Sequence, residues 1–172
     1  MKRSHLKASA ALIVGLYFLW CAYKPDEWHF LDNVNLVIHE AGHIVFMPFG
    51  EFVMIAGGSL FQVIVPLVFC GYFFWRGQYY AGCLTAFWPG ESILNVSVYA
   101  RDAVEMQLPL LGGQDSIHDW NYMLDRLGML GSTATIAGLI RFAGALTIIA
   151  ALVGAIYFAL ADADERASAE ND

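Results

Sequence analysis

The chain has 172 residues, 58% of them apolar and only 15% charged, with a formal charge of −7. That length suits a single domain, but the composition lies far from that of a soluble one. The acidic balance offers no basic surface for nucleic acid. The reading is an all-α polytopic membrane helix bundle of about five transmembrane helices plus a short amphipathic helix, with the lipid bilayer as its first partner.

Three runs, residues 8–23, 52–75 and 142–161, contain no Lys, Arg, Asp or Glu. About 20 apolar residues cross the hydrocarbon core, so each run is a candidate span. Two further candidates carry charge: residues 79–100 contain Glu91, and residues 30–50 contain Asp32, His39, Glu40 and His43. The expected spans are roughly residues 8–24, 31–49, 58–75, 79–101 and 133–161, all within one domain, 1–161. Lys2, Arg3 and Lys7 precede the first run, which ends in Leu19-Trp20-Cys21-Ala22-Tyr23 with no small-x-small cleavage pattern. An uncleaved span is therefore expected rather than a signal peptide.

With the N-terminus in the cytoplasm, this layout puts six basic residues inside and three outside, the bias expected of a bacterial inner (plasma) membrane protein. Residues 51–59, with Gly57-Gly58-Ser59, read as a turn or re-entrant element, with Ser59 capping the next helix. The cytoplasmic loop 102–126 includes helical apolar spacing from Asp119 onward, which predicts the amphipathic helix. The tail, residues 162–172, is acidic and rich in small residues, and is expected to be disordered. Cys21, Cys70 and Cys83 fall inside predicted spans and read as packed thiols, while His5 and His29 lie near ends and read as solvated.

The chemistry concentrates in His39-Glu40-Ala41-Gly42-His43, an H-E-x-x-H pattern. Four residues apart on a helix, both imidazoles reach one metal ion, and Glu40 flanks the open coordination position as a general base. Zinc is the expected ion, because with three protein ligands it acidifies a water and polarises a carbonyl at the fourth position. An ionisable group within a span costs on the order of 2.5 kcal/mol or more, which argues for function where three fall within five residues.

In these residues the chain resembles the site-2 protease family of intramembrane zinc metalloproteases. That resemblance implies a peptidase acting on a membrane-anchored protein substrate, with a third ligand from an Asp on a later helix where an Asn precedes it. The nearest counterpart is Asn95-Val96-Ser97-Val98-Tyr99-Ala100-Arg101-Asp102; no Leu-Asp-Gly occurs. The resemblance thus implies Asp102 as a metal ligand and Asn95 as a substrate-positioning residue.

Other residues compete for the third place. His118 is the only His after the motif and is a candidate metal ligand, with Asp119 beside it to orient its ring, bind directly, or cap the following helix. Glu91 is an alternative ligand, since a carboxylate in mid-span is costly and zinc accepts Glu. Glu91, Asn95 and Asp102 are spaced to share one helix face. Gln62 is a candidate for substrate binding. Against the hydrolase stands a non-enzymatic reading, in which the same ligands close a metal site in a membrane scaffold, adaptor or ion-handling protein.

Overall fold

Straight-chain apolar residues and alanines after Lys2 favour a continuous helix, and α1 (Lys2–Tyr23) forms there, stopping before Pro25, which disfavours helical geometry at Lys24. The computed structural model describes residues 2–109, 111 and 117–169. α2 (Phe30–Phe46) starts where the Asp32 carboxylate accepts the N–H of His29, tying down a donor that the first helical turn leaves unpaired. Pro48 then sits in a 3-10 turn, Met47–Phe49, and Gly50 takes φ 94°, open to glycine alone without strain. The chain reverses into α3 (Glu51–Trp75).

α4 (Tyr79–Thr85) and α5 (Phe87–Arg101) follow, then α6 (Asp119–Arg126) and the long α7 (Thr133–Ala169). The described residues contain no strand. α7 is the spine: Phe87, Leu94, Ile148 and Ala151 form a buried cluster, with Phe18 stacked on Phe87 at 5.1 Å. α1 lies antiparallel to α7, its Ser4 hydroxyl donating to the Ala159 carbonyl at 2.8 Å. The α2–α3 hairpin leans on α5, and α6 lies across α3.

Three helical segments, Ser4–Tyr23, Glu51–Trp75 and Leu130–Ala161, are long and apolar enough to cross a membrane. The predicted fourth span, 79–101, is two helices. Pro89 has no N–H to bond the Thr85 carbonyl, so the helix breaks at Ala86. The expected turn at residues 51–59 is helix throughout, and Ser59 is not a cap. The glycines serve helix packing instead: a Cβ on Gly42 would run into the Gly57 carbonyl, and one on Gly57 would lie 2.6 Å from Phe46 Cβ. His29, expected at a solvated end, is buried under the edge of Trp20. The three cysteines are buried free thiols. α7 runs on through Ala169, into the segment expected to be disordered; residues 170–172 lie outside the described residues.

α2 reverses the pattern of a soluble helix. Asp32, Asn35, His39 and Gly42 are buried, whereas Phe30, Val37 and Ile44 are exposed. Four positions of the bundle-facing side are polar or glycine, while Asn33 and Glu40 are exposed with the apolar residues.

The glycine crossing makes a direct prediction. Gly42→Ala forces α2 and α3 apart and costs about 1–3 kcal/mol by overpacking, whereas Gly71→Ala, where a Cβ would meet nothing within 4 Å, gains helix propensity. Thermal unfolding in detergent followed by circular dichroism should show a lowered midpoint for Gly42→Ala and an unchanged or raised one for Gly71→Ala.

Candidate metal centre

His39 and His43, one helical turn apart on α2, stand with ring centroids 4.8 Å apart, against α3. Gly58 makes this possible, because a Cβ there would fall 2.6 Å from His39 Nε2 and 2.7 Å from His43 Cε1. The third member arrives from α6. Asp119 Oδ2 lies 2.9 Å from His39 Nε2 and 3.3 Å from His43 Nε2. Among the described residues, His39, His43 and Asp119 form a group whose candidate ligand atoms all lie within 4.8 Å of one another. His39 and Asp119 are buried and His43 is partly so.

The other ring nitrogens are engaged. His43 Nδ1 is 3.0 Å from the Met54 carbonyl and His39 Nδ1 is 3.2 Å from Gln62 Oε1. A carbonyl oxygen only accepts, so His43 carries its proton on Nδ1. Gln62 donates its amide to Asn95 Oδ1 at 2.7 Å, leaving Oε1 as the acceptor for His39. In the neutral ring, which has one proton, Nε2 then presents a bare lone pair to the Asp119 oxygen. That arrangement calls for positive charge between the three atoms, as a proton on Nε2 or as a metal ion. A metal ion meets that requirement, and imidazole and carboxylate with oriented rings are suitable donors.

Asp102 and His118, expected as metal ligands, bind each other instead. His118 Nδ1 accepts the Asn121 N–H at 3.3 Å, so His118 caps α6, and its Nε2 lies 3.1 Å from Asp102 Oδ2. Asp102 also accepts the N–H groups of Gln107 and Leu108. Those bonds satisfy both side chains at the head of α6 and set Asp119, the next residue, into the centre. The Asp119 N–H donates to the Tyr99 hydroxyl at 3.1 Å, and the Tyr99 ring packs on His118 and His39. Trp120 donates to Ser59 Oγ at 3.1 Å, pinning α6 to α3 beside Gly58.

Glu91 is also elsewhere. It is buried and accepts from Asn35 Nδ2 at 2.7 Å, while Trp88 and Ser92 donate to Asn35 Oδ1. Glu40 is exposed, within electrostatic reach of His43 and Tyr99. Tyr99 and the Met54 carbonyl were not singled out from the sequence. Tyr99 follows Asn95 by four residues and so shares its helix face, but a backbone carbonyl leaves no mark in a sequence. No family model matches the chain, and comparisons with curated proteins and with solved structures find no match.

Gly58→Ala should therefore displace both imidazoles. Titration with a divalent metal should show affinity at least about tenfold weaker, as for loss of groups that orient ligands. His39→Ala and Asp119→Ala should lose binding outright. Circular dichroism should record unchanged helix content in all three.

Proposed function

We propose that this protein is an intramembrane zinc-dependent hydrolase, a site-2-protease-like peptidase with Glu40 as general base, cutting a membrane-anchored protein substrate. The observation that carries the reading is the convergence of two Nε2 atoms on one carboxylate oxygen. Tetrahedral zinc with bonds of about 2.0–2.1 Å spaces its ligand atoms roughly 3.3 Å apart, close to the 2.9 and 3.3 Å separations here. Three protein ligands leave the fourth position free, the arrangement of catalytic rather than structural zinc. When bound, the ion supplies Lewis acidity, making a water more acidic and a carbonyl more electrophilic.

The chain's own residues supply the rest. His39 and His43 are held as Nδ1-protonated rings by Gln62 and Met54, and Asp119 is held by Tyr99. Glu40 follows His39 in the chain with an exposed carboxylate and would take the proton from an attacking water. An apolar cavity of about 330 Å³ is lined by Ser59, Leu60, Val63, Ile93, Trp120 and Met123 among others, beginning one residue from Gly58 and from Asp119. It suits a hydrophobic substrate segment.

The inverted pattern of α2 supports a setting in lipid, with α2 and the α4–α5 pair completing five spans alongside the three long helices. The charge bias of the loops favours a bacterial inner membrane with the N-terminus cytoplasmic. A non-enzymatic scaffold reading draws on one observation: Asp119 and Trp120 together staple α6 onto the α2–α3 hairpin. A closed site with four protein ligands would favour it.

Purified protein should contain about one zinc ion per chain. Glu40→Gln should retain that zinc while turnover of a membrane-anchored peptide falls by about 10²–10⁴-fold. Zinc content by mass spectrometry and cleavage in proteoliposomes are the measurements; turnover retained in Glu40→Gln sinks the mechanism. X-ray absorption revealing four protein ligands and no exchangeable one would favour the scaffold.

A further inference from the structure

A line of buried and part-buried hydrogen bonds runs from the N-terminus of α2 to the candidate metal centre. The His29 N–H is a fixed donor to Asp32 Oδ2. Asp32, which also meets the Glu91 carboxyl, accepts at Oδ1 from Asn95 Nδ2 at 2.7 Å. Asn95 Oδ1 then faces Gln62, which presents Nε2 at 2.7 Å, with the Ser92 carbonyl at 3.5 Å as a weaker second acceptor. Gln62 Oε1 is left for His39, whose Nδ1 must carry a proton; in the neutral ring Nε2 is then bare. Asp32, Gln62 and His39 are each at most 5% exposed, and Asn95 between them is partly buried.

We propose that Asp32 is a positioning residue that sets the tautomer of His39 through Asn95 and Gln62, and thereby makes His39 Nε2 available to a metal ion. The proposal rests on the metal-site reading for its purpose, but the tautomer itself is a property of the metal-free protein. His43 is an internal control, because its Nδ1 proton is directed by the Met54 backbone carbonyl and depends on no side chain.

The substitution Asp32→Asn reverses the line. The introduced amide keeps its oxygen toward the His29 N–H and turns its NH₂ toward Asn95. Asn95 then flips, and Gln62 flips after it. Gln62 now offers NH₂ to His39 Nδ1, so the ring moves its proton to Nε2, where it blocks coordination. Adding Gln62→Glu repairs the conflict, since a carboxylate at that position accepts both from the flipped Asn95 and from His39 Nδ1–H.

The experiment uses the full chain with ¹⁵N-labelled histidine in micelles at pH 8, metal-free for NMR and then titrated with zinc. In the wild type both His39 and His43 should be protonated on Nδ1. In Asp32→Asn, His39 should switch to Nε2–H, His43 should not change, and zinc affinity should fall roughly 10- to 100-fold. The double substitution Asp32→Asn with Gln62→Glu should return His39 to Nδ1–H and recover most of the affinity. An unchanged His39 tautomer in Asp32→Asn overturns the proposal, and so does a loss of affinity that Gln62→Glu fails to rescue, which would mark Asp32 as merely structural. If Asp32→Asn does not fold, Asn95→Ala cuts the line at its centre and should yield mixed His39 tautomers; a single Nδ1–H form would count against the relay. Absence of zinc binding in the wild type refutes the metal reading alone, because the metal-free tautomers still test the relay.

Discussion

Where α2 crosses α3, Gly42 faces the Gly57 carbonyl with no side chain between them, and Gly58 leaves the space that the His39 and His43 rings fill. Every later feature of the site depends on this close approach. It lets Met54 and Gln62 on α3 reach the Nδ1 atoms of rings carried on α2. With both Nδ1 atoms satisfied from α3, both Nε2 atoms project together toward α6. Small residues at a helix interface are what bring two backbones this close in an apolar setting, where van der Waals packing and interhelical hydrogen bonds replace the hydrophobic drive.

The polar groups of the bundle are arranged for consistency of direction. The Asp32 carboxylate takes the amide nitrogen of Asn95, and the oxygen this leaves on Asn95 takes the amide nitrogen of Gln62. The second buried cluster, Asn35 with Glu91, Trp88 and Ser92, is similarly complete: one Asn amide donates to the carboxylate and its oxygen receives two donors. Partly satisfied networks are costly in a low-dielectric interior and complete ones rigidify it. Rigidity is what a metal centre needs of its supporting residues. At Asp119 two imidazole nitrogens meet one carboxylate oxygen, and positive charge between them suits that meeting.

α6 is a helix of eight residues, too short to be stable alone, and its position is decided by tertiary contacts. His118 caps it and binds Asp102, Tyr99 receives the Asp119 N–H, and Trp120 reaches Ser59. The candidates proposed from sequence for the third ligand thus belong to one assembly with divided roles. Asp102 and His118 hold the helix start, and Asp119 faces the imidazoles.

How much was legible in advance follows from the range of the forces involved. Helix formation and apolar runs are local, so the sequence by itself determined an all-helical chain with three long apolar helices, the turn-spaced pair His39 and His43, and the amphipathic helix after residue 118. Local rules misplaced the glycines at 57 and 58, because a glycine pair breaks an isolated helix but permits close contact in a packed one. They also missed the break at Ala86, although Pro89 was in view. Which of Asp102, His118 and Asp119 meets the imidazoles was decided only by the tertiary structure. Adjacent residues at a helix start point in different directions, and a difference of one position separates a cap from a candidate ligand. The donor and acceptor directions linking Asp32 to His39 span three helices, so no spacing along the chain encodes them.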